Sequence, residues 1–153
     1  MDNPEKVVNL KESNFLIGQY VELRNHYCER LLTLPVSIDE TRAWLKGSKV
    51  EVFGIVREEI LLGAAILYIR REGEIAFFTK TPGQGVGGRL LSIMEEVARQ
   101  RKLKSVWAWV LDENIAAQKT FLKNGYIPVE KSNRQFMGEK STGVVFRKRV
   151  STI

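Results

Sequence analysis

The sequence predicts one α/β domain built on a mixed, mostly antiparallel sheet flanked by helices. The chain has 153 residues and 44% apolar content, which suits one packed domain and is too little for two ordinary ones. Strand and helix patterns follow one another without a repeat or a linker, so residues 1–153 are treated as a single domain. Three strand patterns in its middle are joined by short charged connections, which is typical of an antiparallel meander.

Composition excludes several classes of protein. The charged content of 27% argues against disorder, and no apolar run is long enough for a transmembrane helix. The N-terminal residues 1–6 lack the basic start and apolar core of a signal peptide, so the cytoplasm is the expected location. The single Cys28 excludes an internal disulfide, and no Cys/His cluster suggests a metal site.

The first third of the chain predicts a strand and two helices. The strand covers residues 7–10, and apolar residues at steps of three and four then predict a helix with Ser13 as its N-cap. Ser37 and Glu40 have the spacing of a capping box, so a second helix begins there and ends near Gly47. The apolar face of the first helix comprises Leu16, Tyr20, Leu23, Tyr27 and Leu31.

The rest of the chain alternates strands with helices. Residues 105–111 are apolar on both faces, which is typical of a strand in the centre of a sheet. The complete predicted order is β-α-α-β-β-β-α-β-α-β-β. After the first two helices, the elements are strands at 50–56, 61–69 and 74–79, a helix that ends at 102–104, a strand at 105–111, a helix at 114–123, and strands at 126–129 and 143–150.

A glycine-rich loop joins the third meander strand to the next helix. Four of the twelve glycines lie within residues 83–88. A helix N-terminus presents unpaired amides, and glycines let the backbone approach a phosphate closely, so the loop predicts an anion site. A Walker loop would need Gly-Lys-Ser/Thr where residues 87–89 read Gly-Gly-Arg. The literal dinucleotide-binding pattern is also discounted, because a meander precedes it.

Two segments together resemble the signatures of the GNAT superfamily of N-acetyltransferases. Residues 84–91, Gln-Gly-Val-Gly-Gly-Arg-Leu-Leu, resemble its acyl-CoA loop. Residues 114–126 resemble its second signature, which has Asn114, Ala117, Phe121 and then Gly-Tyr at the end. The resemblance implies a sheet splayed at the acyl-CoA site. It also implies acetyl transfer from acetyl-CoA, as co-substrate, to a primary amine by direct attack in a ternary complex.

The resemblance also implies which residues hold the co-substrate. The strand before the loop would pair with the pantetheine arm, the loop would bind the phosphates, and Asn114 would hydrogen-bond the arm. Two positions depart from the family: Pro82 stands where an Arg or Gln is usual, and Phe121 stands where a Tyr often protonates the leaving thiolate. The implied cofactor-binding residues are Phe77, Phe78, Thr79, Gln84, Gly85, Val86, Gly87, Gly88, Arg89, Asn114, Ala117 and Phe121.

Transfer to an amine requires the removal of a proton, because an alkylammonium has a pKa of about 10. A carboxylate acting directly or through water is the usual base. Glu74, at the start of the strand before the loop, is the first candidate, and Glu51 and His26 are alternatives. Tyr126, Tyr68 or water would protonate the departing thiolate.

The N-terminal half carries a weaker resemblance, to family members that acetylate nucleotide-linked amino sugars. It rests on Arg24-Asn25, Arg30 and the Ser37-to-Trp44 helix, and it implies that Arg24, Asn25 and Arg30 face the acceptor. The net charge of +6 suits a phosphate-rich ligand, although it is also typical of a merely basic surface.

Three alternative functions stay open at this stage. They are acetylation of a protein N-terminus or lysine, a non-catalytic acyl-CoA-binding module and, least favoured, a nucleic-acid-binding domain. The expected partner is a small-molecule amine, with no nucleic acid and no membrane, and a homodimer is compatible with the sequence.

Overall fold

The computed structural model describes residues 4–151; residues 1–3, on which part of the signal-peptide argument rested, lie outside this range. The strands are β1 (Lys6–Asn9), β2 (Val50–Arg57), β3 (Ile60–Tyr68), β4 (Glu74–Thr79), β5 (Ser105–Leu111), β6 (Ile127–Phe136) and β7 (Glu139–Arg149). The helices are α1 (Ile17–His26), α2 (Ile38–Leu45), α3 (Val86–Gln100) and α4 (Ile115–Lys123), with short 3-10 turns at Leu10–Glu12, Asn14–Leu16 and Ile69–Arg71.

The seven strands form one sheet in the order β1-β2-β3-β4-β5-β7-β6. Every neighbouring pair is antiparallel except β4 and β5, which are parallel. The predicted order of elements and the antiparallel meander are therefore confirmed. β5 lies between β4 and β7, as its apolar pattern on both faces indicated.

The two faces of the sheet carry separate cores. α3 packs on one face, where Leu90, Leu91 and Met94 are completely buried. α1 and α2 cover the other face, where Tyr20 and Leu45 join the buried side chains of β2 and β3. Each core buries the apolar stripe of its helices, which is the main stabilising contribution of such a layered fold.

The capping box of α2 is confirmed. The Glu40 amide donates to Ser37 Oγ at 3.0 Å, and the Ser37 amide donates to Glu40 Oε1 at 3.2 Å. The prediction for Ser13 was wrong: its hydroxyl donates to the Asn9 carbonyl, and α1 is preceded instead by a 3-10 turn. The side chain is thereby satisfied locally and caps no helix.

Two element boundaries differ from the prediction. The first helix ends at His26 rather than near residue 31, because the chain turns through residues 27–32, where Leu32 has φ +52°. The last two strands form a hairpin much longer than predicted. β6 is an exposed edge strand and needs no apolar alternation, so its sequence carried little strand signal.

Candidate active site

The sheet opens between β4 and β5. The only paired residues of these strands in the described chain are Glu74 and Trp107, and the Trp107 amide donates to the Gly73 carbonyl at 3.1 Å. Beyond this point the strands diverge. The predicted splay is therefore confirmed, and it begins at Glu74.

The divergence leaves backbone groups of both strands facing a gap. The Lys80 amide donates to the Leu62 carbonyl of β3. Because backbone bonding alternates along a strand, the even-numbered residues of β4 bond β3, and the backbone N–H and C=O groups of Phe77 face the gap. Directly after β5, the Asp112 amide donates to the carbonyl of Thr142 in β7. By the same alternation, the backbone groups of Trp109 face the gap. The gap thus offers amide edges to which an extended amide chain can bond.

A groove, here called the loop groove, leads to this gap from the N-terminal ends of α3 and α4. Its volume is ≈ 820 Å³. Gly85 is the N-cap of α3 at φ +75°, a conformation that favours glycine. A Cβ on Gly87 would lie 2.9 Å from the Phe77 ring, so only glycine keeps this wall close to the strand. Predicted cofactor residues that line the groove are Phe77, Phe78, Thr79, Gln84, Gly85, Val86, Gly87, Gly88, Arg89, Asn114 and Ala117.

Two polar side chains of the groove are already engaged. Asn114 caps α4, because its Oδ1 accepts from the Ala117 amide at 3.2 Å, which leaves its Nδ2 for another partner. Arg89 pairs with Glu5 at 2.7 Å, and Glu5 also pairs with Arg57 at 3.2 Å. The sequence did not predict this role of Glu5, because Glu5 lies more than eighty residues before Arg89 in the chain.

A second space, here called the inner cavity, extends from the α1–α2 face to the gap and has a volume of ≈ 470 Å³. The two spaces adjoin at the gap, since five residues line both. Those residues are Arg30, Leu31, Phe77, Asn114 and Ala117. A ligand held between α3 and α4 would therefore lie next to the inner cavity.

Glu74 stands at the junction of the gap and the inner cavity. It is 5% exposed, and its carboxylate accepts from Arg71 at 3.2 Å and from Arg134 at 2.7 Å. The Arg134 guanidinium also lies 4.9 Å from the Trp109 ring. A carboxylate has about four acceptor sites, so about two are not used by these arginines. Arg134 was missed because the sequence of β6 did not predict a strand at this position.

Phe121 lines the inner cavity and is packed against Phe77 and Phe146, with ring centroids 5.4 and 5.7 Å apart. Tyr126 lies behind it, lines neither space, and its hydroxyl donates to Glu95 at 2.9 Å. Burial and the neighbouring Glu95 carboxylate raise the pKa of Tyr126. The prediction that Tyr126 protonates the leaving thiolate is therefore corrected.

Tyr68 is the alternative phenol, and it does line the inner cavity. Burial raises the pKa of Tyr68, with the Arg71 guanidinium opposing the shift. Its hydroxyl therefore keeps its proton at neutral pH. Of the two tyrosines that were considered as acids, only this one is placed where a ligand can reach it.

The three predicted acceptor residues are used differently. Arg24 lines the inner cavity, where it donates to the Leu34 carbonyl at 3.1 Å and to Thr33 Oγ1 at 2.9 Å. Arg30 lines both spaces. Asn25 lines neither, because both ends of its amide bond the backbone of Val36 at 2.9 Å. Its prediction as an acceptor residue is corrected: it fixes the segment that encloses the cavity.

The alternative bases lie elsewhere. Glu51 pairs with Lys11 at 3.3 Å, and His26 packs against the Tyr27 ring. Neither residue lines the loop groove or the inner cavity. Glu74 is therefore the one of the three predicted bases that the fold brings to the site.

Tyr20 is a cavity residue that the sequence assigned only to an apolar helix face. It is completely buried and lines the inner cavity, yet its hydroxyl has no hydrogen-bond partner among the described residues. Burial raises the pKa of Tyr20. A tyrosine at a core position carries no signal in the sequence that separates packing from binding.

No helix in residues 4–151 is long and apolar enough to cross a membrane. The family model for the acetyltransferase (GNAT) family matches residues 17–126, which is more than half of the chain. No curated protein sequence matches the chain significantly.

Solved structures of acetyltransferases share the fold at low sequence identity. A ribosomal-protein-alanine N-acetyltransferase from Brucella melitensis has 18% identity and a TM-score of 0.82, over 94% of this chain and 99% of that one. A spermidine N-acetyltransferase from Vibrio cholerae, in complex with CoA and spermine, has 15% identity and a TM-score of 0.79, over 95% of each chain.

A GNAT superfamily phosphinothricin acetyltransferase from Sinorhizobium meliloti, in complex with acetyl-CoA, has 12% identity and a TM-score of 0.79. This likeness covers 97% of this chain and 89% of that one. Together with the family model, which spans both the glycine loop and the second signature, the fold and the open sheet lead to one conclusion: the chain belongs to the acetyltransferase (GNAT) family.

Proposed function

We propose that the protein transfers an acetyl group from acetyl-CoA to the primary amine of a small molecule, by direct attack in a ternary complex. The observation that carries this proposal is that the loop groove and the inner cavity adjoin at the β4–β5 gap and share five lining residues. Two substrates entering from opposite faces would meet at Glu74. Direct transfer needs both reactants in one enclosed place, and this arrangement supplies it.

The residues of the loop groove fit acetyl-CoA. The glycines and the free amides at the start of α3 suit a pyrophosphate, since a helix N-terminus favours negative charge. The open backbone edges at Phe77 and Trp109 suit the amide groups of the pantetheine arm. Relatives of the same fold, from Sinorhizobium meliloti and Vibrio cholerae, hold acetyl-CoA and CoA with spermine respectively.

In this proposal Glu74 accepts the amine proton, directly or through one water molecule. It is a buried carboxylate at the junction of the two spaces, and about half of its acceptor sites are free. Bound acetyl-CoA supplies an activated acyl group with a thiol leaving group. Because Phe121 has no hydroxyl, the thiolate takes its proton from Tyr68 or from water. A thiol with a pKa of about 8.5 leaves tolerably well as its anion.

A small acceptor is favoured over a protein one. The inner cavity is bounded by α2 and by the segment 31–36, which Asn25 and Arg24 hold in place, whereas a peptide needs an open channel. A nucleotide-linked amino sugar remains the first acceptor to test, with Arg24 and Arg30 as its contacts. Arginines in a cavity suit phosphate groups because they donate two parallel hydrogen bonds.

The test combines two measurements on one sample. Thiol release from acetyl-CoA is followed with nucleotide-linked amino sugars, amino acids, polyamines and short peptides, and CoA binding is measured by calorimetry. We expect CoA binding, and turnover with small amines well above the rate with peptides. CoA binding without turnover on any amine would favour a non-catalytic acyl-CoA-binding module. No CoA binding at all would contradict the interpretation of the loop groove.

A further inference from the structure

The buried hydroxyl of Tyr20 marks a polar point in the wall of the inner cavity. Tyr20 is 0% exposed, and its hydroxyl is without a hydrogen bond in the described chain. Buried polar groups are nearly always hydrogen-bonded, because losing contact with water without a replacement is unfavourable. Since this hydroxyl belongs to a residue that lines a cavity, the partner it lacks is one that a ligand can supply.

The ring of Tyr20 is fixed in its place. It stacks on Trp44 with centroids 6.4 Å apart and packs against Phe78 at 5.6 Å. A hydroxyl on a ring held from two sides cannot swing away to bond elsewhere. Its direction is therefore set before a ligand arrives, which lowers the entropy cost of binding.

Arg24 stands beside this hydroxyl and keeps donors to spare. The Arg24 guanidinium approaches the Tyr20 oxygen as a donor, although the contact does not reach full hydrogen-bond geometry, and Tyr68 and Arg24 both act on the phenol electrostatically. This approach uses the oxygen as an acceptor, so the O–H donor of Tyr20 stays free. Arg24 uses Nη1 and Nη2 on Leu34 and Thr33, and a guanidinium has five N–H donors in all. The same two bonds hold the guanidinium still. An acceptor group at this point would meet one neutral and one charged donor.

The charges of the whole cavity agree with an anionic ligand. Its lining carries four arginines against two glutamates: Arg24, Arg30, Arg71, Arg134, Glu40 and Glu74. Arg71 and Arg134 are engaged by Glu74, and one oxygen of Glu40 closes the capping box at Ser37. The cationic excess therefore falls at Arg24 and Arg30. A polyamine would be repelled there, and an oxyanion would be attracted.

We propose that Tyr20 and Arg24 form an oxyanion-binding subsite, so that the acceptor is a primary amine that also carries a carboxylate or a phosphate. This assignment of substrate class rests on the proposed acetyl transfer. In it, Tyr20 is a specificity-determining residue: its hydroxyl donates to the oxyanion, while the amine of the same molecule reaches Glu74. Neutral amines and polycations gain nothing from the pair.

The test is the Tyr20→Phe variant, which removes only the hydroxyl. The hydroxyl is unbonded in the protein, so we expect a melting temperature that is unchanged or higher. Tyr126→Phe is the matched control, because it removes a buried hydroxyl that is bonded to Glu95 and lines neither space. The control should lose stability and keep its substrate preference.

Two readouts separate the subsite from the reaction. In thiol release, glycine is compared with glycinamide, and glucosamine 6-phosphate with glucosamine. Calorimetry on the CoA complex compares the binding affinities of the N-acetylated forms of the same pairs. This measurement needs no turnover. We expect the anionic member of at least one pair to be preferred about tenfold, and Tyr20→Phe to abolish most of that preference while CoA binding stays unchanged. The pair that responds tells a carboxylate from a phosphate.

The proposal is overturned if neutral and anionic members bind equally, if no probe binds, or if Tyr20→Phe leaves the preference intact. A Tyr20→Phe variant that weakens both members of a pair equally would show a packing role instead. Failure of the proposed acetyl transfer looks different. It would appear as CoA binding without thiol release on any amine, while the anionic preference in calorimetry on the CoA complex is still present.

Discussion

Two buried glutamates show how differently the molecule uses similar groups. Glu74 and Glu95 are both 5% exposed, and each has two hydrogen-bonding partners. Glu95 accepts from Tyr126 at 2.9 Å and from Lys148 at 3.0 Å, and it lines neither space. Glu74 accepts from two arginines and lines the inner cavity. Burial of a charge therefore does not separate the two glutamates; only Glu74 has open space next to its charge.

Two buried tyrosines repeat the contrast. The Tyr126 hydroxyl is satisfied by Glu95 and closes a gap in the core between α3 and β7. The Tyr20 hydroxyl is unsatisfied and belongs to the wall of the inner cavity. The sequence offered Tyr126, beside Tyr68 or water, as the acid that protonates the leaving thiolate. Only the packing shows that Tyr126 is enclosed in the core while Tyr20 borders the cavity.

The largest expected effect is on stability, from Glu95→Leu. The change leaves the Lys148 ammonium and the Tyr126 hydroxyl without their shared partner. We expect a loss of about 3 kcal/mol in the free energy of unfolding, near the low end for a broken buried pair because the Lys148 side chain is 29% exposed. Urea unfolding followed by circular dichroism measures it.

The matched control for this change is Glu96→Leu. Glu96 neighbours Glu95 on α3 and forms an exposed ion pair with Arg99, so its loss should cost less than about 1 kcal/mol. Activity per folded molecule should stay within about twofold in both variants. A large loss of activity in folded Glu95→Leu would break the contrast with Glu74.

Glu74→Gln should produce the next effect, this time on activity. We expect kcat/KM at pH 7 to fall about 100-fold, within the range for loss of a general base. Part of the loss should return between pH 8 and 10, because free amine then becomes abundant without the carboxylate. Glu72→Gln, at an exposed carboxylate in the preceding turn, is the control and should behave as the unchanged protein. A loss that is equal at every pH would indicate a positioning role for Glu74.

Gly85→Ala and Gly138→Ala place the same backbone strain at two sites, one in the glycine loop and one in the turn between β6 and β7. Gly85 (φ +75°) and Gly138 (φ +80°) both adopt a conformation that costs other residues about 1–2 kcal/mol. Both alanine variants should lose stability. Only Gly85→Ala should weaken CoA binding, about fivefold by calorimetry, because relaxing the strain shifts the loop amides. Equal affinities in the two variants would mean that the phosphates bind elsewhere.

The smallest effect at neutral pH comes from the buried tyrosines. Burial raises the pKa of Tyr20, Tyr68 and Tyr126 above that of the unfolded chain. Their contribution to stability is thus fully present below pH 10 and is lost as the pH rises further, because only the unfolded state ionises. Each group contributes a slope of about 1.36 kcal/mol per pH unit. Urea unfolding at pH 9 to 11 should show a shallower decline for Tyr126→Phe; an identical decline would count against this explanation.

Local signals predicted the half of the site that is built from backbone. The glycine loop, the cap at Asn114 and strand β4 are each a short segment of sequence, and their conformations depend on chain geometry that few residue types permit. The side-chain half was predicted less well. Arg134 comes from an edge strand without apolar alternation, and Tyr20 is indistinguishable in sequence from a core residue.

The three residues predicted from the weaker family resemblance are placed differently by the fold. Arg24 and Arg30 reach the inner cavity, while Asn25 turns to the backbone of Val36. Adjacent residues of a helix point about 100° apart, so two neighbours seldom face the same space. A sequence can indicate that a helix borders a site, but the rotation of that helix depends on what it packs against.

The sequence by itself determined the order of the elements, the antiparallel meander, the splay implied by the family signatures and the glycine loop before α3. These follow from local periodicity and from short motifs, where neighbouring residues set the backbone conformation. The tertiary structure decided which buried polar groups have room beside them. It closed Glu95 and Tyr126 into the core, and it left Glu74 and Tyr20 at a cavity, because solvation and contact depend on residues that are distant in the chain.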